Sequence, residues 1–362
     1  MLLKARLYAI TAFLALCVLF LIARTVTSKA GQMTSTLLIG GSKIDVRIES
    51  GKMKLSQPQL VQWVKSAAEA VATYYGRYPV PRVQIRIIPV DGSGVRHGQT
   101  FGYDGGLIKI RVGEQTQAAE LANDWMLTHE MVHLSFPSMA DEHHWIEEGI
   151  AVYVEPIARI QAKQMSAEQM WADLVRDMPK GEPQEGDRGL DHTRSWGRTY
   201  WGGALFCFVA DVEVRKQTRN QKGLQDALRG ILEAGGDITH DWELARTLKI
   251  GDQATGTSVL SDLYAKWKDN PVQVDLASMW KELGIVAEGR SVRSVEDAPL
   301  AAVRRAITAP HASKPTNSKA VSPSAVFAGR SITGSRADLS LPSRCNLENC
   351  PTKPCSGGPA RC

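Results

Sequence analysis

The sequence predicts an α+β protein: a small twisted β-sheet packed on a helix carrying His129-Glu130-Met131-Val132-His133, followed by a mainly α-helical lobe. Three observations predict it. Short segments of period-two alternation lie before residue 113, helical periodicity dominates after residue 150, and the His-Glu-x-x-His string sits between them. With 362 residues and 43% hydrophobic content, the chain has ample material for one large core or two smaller ones.

At the N-terminus, Lys4 and Arg6 precede an apolar run from Leu7 to Ala23, about 17 residues, near the lower limit for a spanning helix. Residues 1–30 therefore read as a signal peptide or an N-terminal membrane anchor, with Ser28-Lys29-Ala30 offering small residues for cleavage; a buried core helix is the bland alternative. With the basic residues kept inside, the remainder is expected to be exported, on the periplasmic or extracellular side of the cell envelope.

Ile44, Val46 and Ile48 then alternate with Asp45, Arg47 and Glu49, as in a half-buried strand. Ser56 and Gln59 form a capping-box pattern around Pro58, and Leu60, Val61, Val64, Ala68 and Val71 trace one helical face to Gly76. Further strands are expected at Val83–Ile88 and Leu107–Val112. A helix from Thr116 to Leu134, stopped by Pro137, should carry the His-Glu-x-x-His string. A second helix should open near Trp145. Ser166 and Gln169 open another through Met178, and a Gly-, Pro- and Asp-rich loop over 179–197 is placed beside the cleft. Helices are expected at about Tyr200–Arg215, Leu224–Glu233, Trp242–Leu248, Val259–Trp267 and Leu276–Leu283. From residue 309 the composition turns to Ser, Pro, Ala, Thr and basic residues without apolar periodicity, so 309–362 reads as a disordered tail.

That tail holds seven Lys/Arg against two Asp/Glu and so accounts for the whole formal net charge of +5. The body is neutral, which removes electrostatic support for nucleic-acid binding. The six cysteines are Cys17, Cys207 and a terminal group, Cys345, Cys350, Cys355 and Cys362, whose spacings match no strong zinc pattern.

The chemistry concentrates at His129 and His133. Four residues apart on a helix, they share a face and can point both imidazoles at one ion. Glu130, offset by one, is poorly placed as a ligand but well placed to take a proton from a water on the metal's open position. Glu148 is the best third ligand, because the helix through Trp145 and Ala151-Val152-Tyr153 can cross the first and present it. Glu147 is its nearest competitor, while His143 and His144 are expected on the connecting loop. Two imidazoles and a carboxylate suit a single Zn²⁺ with a fourth position left for water.

This combination resembles the gluzincin metallopeptidases, in the branch containing the alanyl and glycyl aminopeptidases. Trp145-Ile146-Glu147-Glu148-Gly149-Ile150-Ala151 matches the Trp-x-x-Glu-Gly-x-Ala string that follows the His-Glu-x-x-His helix in that group. The resemblance covers roughly residues 40 to 308. It implies a thermolysin-like catalytic domain over 31–308, sheet-containing to about 158 and helical beyond, with zinc on His129, His133 and Glu148 and Glu130 as general base. Tyr200, in Tyr200-Trp201-Gly202-Gly203, is implied as an oxyanion donor, with His192 in reserve. The segments 198–228 and Asp297-Ala298-Pro299-Leu300-Ala301 look most like the glycyl side of the branch. The alanyl type uses a Gly-x-Met-x-Asn edge strand with a Glu that binds the substrate's free amine; Gly102-Tyr103-Asp104-Gly105-Gly106-Leu107, the region compared with it, lacks that signature. Asp104 is the substitute anchor to test there, against its reading as a turn former. The metzincin class is excluded, because Phe136 and Met139 stand where it needs Gly and His. The expectation is an exported zinc peptidase acting on peptide or protein substrates, attached to a membrane if the leader is uncleaved. A non-catalytic zinc-fold binding module of the envelope is the competing class.

Overall fold

The period-two segments pair as one mixed sheet in a computed structural model that describes residues 33–310. Residues 1–32 and 311–362, and with them the expected signal peptide or membrane anchor and the expected disordered tail, lie outside the described residues. Strands β1 (Met33–Ile39), β2 (Ser42–Ile48), β3 (Arg82–Val90), β4 (Val95–Phe101) and β5 (Leu107–Gly113) stand in the order β1-β2-β3-β5-β4. The central three are parallel and both outer strands run antiparallel to their neighbours. Ile44 lies opposite Val83, and Ile85 opposite Ile108. These side chains and Val46, Ile48, Ile87, Ile110 and Val112 form one buried face, while the intervening charged residues face out.

Two strands lacked a hydrophobic signature. β1 is an edge strand with little buried surface, joined to β2 through Gly40-Gly41, both in the left-handed region that a two-residue hairpin requires. β4, Val-Arg-His-Gly-Gln-Thr-Phe, is too polar for periodicity to find.

Helix α1 (Gln57–Tyr75) covers the buried face of the sheet. Gln59 Oε1 accepts the Ser56 backbone N–H at 2.9 Å, and Gly76, at φ 78°, ends the helix. The single helix expected from Thr116 to Leu134 is in fact two, α2 (Ala118–Ala122) and α3 (Met126–His133). Asp124 causes the break, because its carboxylate accepts the N–H groups of Met126 and Leu127, both at 3.1 Å, and so starts a new helix. Trp63 on α1 donates to the same carboxylate at 3.1 Å, fixing the second start against the core.

Helix α4 (His144–Gln161) opens beside Trp145 as expected and crosses α3. The rest of the described chain is helical: α5 (Ala167–Asp177), α6 (Gly203–Gln217), α7 (Leu224–Glu233), α8 (Leu244–Thr255), α9 (Val259–Trp267), α10 (Leu276–Leu283) and α11 (Ala301–Thr308), with a hairpin of β6 (Ile285–Glu288) and β7 (Ser291–Ser294). The helix expected from Tyr200 starts instead at Gly203, after a π-helical turn over Gly197–Gly202. The one placed at Trp242–Leu248 runs from Leu244 to Thr255, where Gly256 in the left-handed region ends it. Among the described residues no helix is long and apolar enough to cross a membrane.

Candidate metal centre

His129 and His133 lie on one face of α3, their rings perpendicular and 4.9 Å apart between centroids. Glu148, on the second turn of α4, points between them. Its Oε2 is 3.2 Å from His129 Nε2 and 3.7 Å from His133 Nε2. The three ligand atoms lie within 4.8 Å of one another. A tetrahedral ion with bonds of about 2.0–2.1 Å separates its ligands by about 3.3 Å, so the spacing and chemistry of this donor set fit Zn²⁺.

The protonation chemistry fits as well. Burial pushes His133 down to about 4, leaving a neutral ring with a free lone pair. Burial acts on His129 in the same direction, but the hydrogen bond and charge of Glu148 outweigh it and the ring holds its proton more tightly than usual. Burial opposes the charge of Glu148 too, yet His133, His129 and His144 hold its carboxyl well below the usual range. A buried carboxylate thus keeps a proton on a buried imidazole. A cation at that point would replace the proton and satisfy all three groups at once. His129 Nδ1 is buried with no hydrogen-bond partner, so ring orientation comes from edge-to-face packing on Trp125 at 5.4 Å.

Glu147 faces elsewhere. Its carboxylate accepts the Met139 N–H and contacts His144 Nδ1, each at 3.1 Å, which ties the connecting segment to α4. His144 itself is not on the connecting loop but is the first residue of α4. Its Nε2 lies 3.3 Å from Glu148 Oε1, and its two carboxylate partners push its pKa up to about 10. It is a cationic hydrogen-bond donor that leaves Glu148 Oε2 to the histidines, a role legible in hindsight from its position four residues before Glu148.

Glu130 emerges from α3 towards β4. Thr100 Oγ1 is 2.5 Å from Glu130 Oε2 and 2.9 Å from its backbone oxygen. Gly98 is the other close neighbour, since a Cβ there would come within 2.5 Å of Glu130 Cγ. Burial pushes the Glu130 carboxyl up to about 7, against the opposing pull of His129 and Thr100. A carboxyl held near neutrality can both take up and release a proton. Thr100 carried no sequence signal, because the contact joins a polar strand to a helix thirty residues away.

The turn of α4 that bears Glu148 is fixed from two sides. Asp191, from the loop expected beside the cleft, accepts Trp145 Nε1 at 2.8 Å and Tyr264 OH at 2.8 Å, and meets His143 Nδ1 at 3.1 Å. On the other side Gly149 packs on Gly203, so closely that a Cβ on Gly149 would lie 2.2 Å from the Gly203 carbonyl carbon. Gly149→Ala is therefore expected to cost about 1–3 kcal/mol of stability, read as a lowered denaturant midpoint together with reduced zinc retention. Unchanged stability would show that the crossing relaxes freely.

That same crossing brings the π turn holding Tyr200 against α4. The Tyr200 ring stacks on Trp196 at 6.0 Å. His192 is engaged elsewhere, its Nε2 2.8 Å from Asp269 Oδ1 on an exposed surface. Asp104, at φ 49°, is part of the turn between β4 and β5, so the sheet edge is β4 itself and not the 102–107 region compared with it from sequence.

No protein-family model matches the chain, and no curated protein matches it. Solved structures do. An aminopeptidase N family protein from Idiomarina loihiensis superposes with a TM-score of 0.52 at 11% identity, over 74% of this chain and 53% of that one. An M1 zinc metallopeptidase from Deinococcus radiodurans gives 0.44 at 16% identity, over 68% and 53% of the two chains. A mutant of the latter bound to a Tyr-Ser-Ala substrate gives 0.45 at 17% identity, over the same shares of 68% and 53%. The chain spans about half the length of these proteins. It is similar in fold to gluzincin aminopeptidase-like proteins, as the two motifs imply.

Proposed function

We propose that this protein is an exported zinc-dependent peptidase, with His129, His133 and Glu148 as metal ligands and Glu130 as general base. The observation that carries the reading is the convergence of those three ligand atoms within 4.8 Å, beside the buried Glu130 carboxylate that lies outside the cluster and meets Thr100. When bound, zinc supplies Lewis-acid polarisation and brings the pKa of a water to about 7. Glu130 accepts the proton of the water that attacks the peptide carbonyl carbon, then delivers it to the amine as the C–N bond breaks. Thr100 holds the Glu130 carboxylate in place. Tyr200 donates to the oxygen on which negative charge develops. Lys4 and Arg6 before the apolar run support export, with the leader either cleaved or kept as an anchor.

β4 contains no Asp or Glu, so the strand beside Glu130 offers nothing to neutralise a free α-amine. This favours cleavage within a chain over removal of its first residue. The test is zinc-loaded protein with free and amine-blocked peptides, the products identified by mass spectrometry. Internal cleavage of blocked peptides, abolished by a chelator, is the expected result. No cleavage by folded, zinc-loaded protein would favour the binding module. In the same assay Tyr200→Phe is expected to lower kcat by about 10²-fold with zinc content and folding retained; full turnover would remove Tyr200 from the reaction.

A further inference from the structure

The outer face of the sheet concentrates positive charge that the fold neutralises only in part. Arg47, Arg86 and Lys109 stand directly opposite one another across β2, β3 and β5, and Gln99 on β4 completes the row. The next row places Ile88, Arg111 and His97 side by side. Together Arg86, Ile88, His97, Gln99, Lys109 and Arg111 line a depression of about 250 Å³. The acid facing these rows is Glu49, which pairs with Arg86; Asp45, one row away, pairs with Lys43 and Arg82. Arg47 Nε is buried without a partner, and Lys109 Nζ rests over the Phe101 ring at 5.0 Å. Like charges opposite one another weaken a sheet. Such a face calls for an anion.

The position of β4 identifies the source of that anion. Gly98 and Thr100 face Glu130, whereas His97 and Gln99 line the depression on the opposite face of the same strand. β4 ends the sheet, and among the described residues no backbone hydrogen bond outside the sheet engages positions 95–101. A polypeptide laid along that edge sends alternate side chains to the two faces. Those on the outer face lie two strand spacings, about 10 Å, from β5, within the combined reach of a Glu and of Lys109 or Arg111.

We propose that the part of this depression lined by Lys109 and Arg111 is a docking site for acidic side chains of the polypeptide substrate, which lies along the free edge of β4. The inference rests on the peptidase reading for its substrate but not for its measurement. The probe is an N-acetylated, fluorescently labelled dodecapeptide with Glu at alternate positions, compared with its Gln counterpart. Binding to the full zinc-loaded chain carrying Glu130→Gln is followed by anisotropy. The Glu peptide is expected to bind at least about 10-fold tighter, and to lose that preference with salt and in Lys109→Glu/Arg111→Glu, while Gln-peptide affinity holds. Lys109→Gln/Arg111→Gln provides the same test if charge reversal impairs folding. Equal affinity for both peptides, or a preference that survives both double variants, overturns the proposal. Tighter binding of a single-stranded oligonucleotide than of the Glu peptide overturns it too. Absence of hydrolysis by the wild type leaves these readings intact and counts only against the peptidase.

Discussion

Glu130→Gln is expected to lower kcat by about 10²–10⁴-fold while leaving one zinc bound per chain. Gln keeps the size of the side chain and its hydrogen bond with Thr100, so the packing against Gly98 survives. What it cannot do is accept a proton. His129 and His133 are untouched, and the metal content measured by mass spectrometry should match the wild type. Retained turnover would show that another group takes the proton, and His144, which meets Glu148 at the same centre, would be the first to examine. Loss of metal together with turnover would mean that Glu130 supports the ligand set directly, which conflicts with its placement towards β4.

The elements of this fold that were legible in the sequence are those whose information is local. Ile44, Val46 and Ile48 report a buried strand face, and Ser56 with Gln59 reports a helix start, because the partners lie within a few residues. The His129, His133 and Glu148 cluster was legible for the same reason, each half of it being a short helical string. The features without a local signal depend on distant partners. The break between α2 and α3 follows from Asp124 capping a new helix while receiving Trp63 from sixty-one residues away. β4 is polar on both faces, because one face meets Glu130 and the other lines a basic depression. Neither face carries the apolar alternation that marks an ordinary strand. The helix expected from Tyr200 begins at Gly203 because the wide turn at Gly197–Gly202 keeps helical composition while changing helical geometry.

Glu148→Ala should remove the metal, whereas Glu147→Ala should leave one zinc per chain. The two carboxylates are neighbours in sequence and opposites in environment. Glu148 is buried, ionised and 3.2 Å from His129 Nε2, while Glu147 accepts the Met139 N–H at 3.1 Å. Groups behind a ligand typically change metal affinity by about 10–100-fold, so loss of a ligand itself should exceed that. Thermal stability supplies an independent reading. An ion present at about 1,000 times its Kd stabilises the folded state by about 4 kcal/mol, and a chelator withdraws that stabilisation. Chelation should therefore lower the Tm of the wild type and of Glu147→Ala and leave Glu148→Ala unmoved. Glu147→Ala should lose about 1 kcal/mol irrespective of metal, from the hydrogen bond its carboxylate accepts from the Met139 N–H. A chelator-sensitive Glu148→Ala would place the third ligand elsewhere. A chelator-insensitive wild type would deny that the folded protein holds a metal at all, and with it the reason that His129, Glu148 and His133 share one buried point.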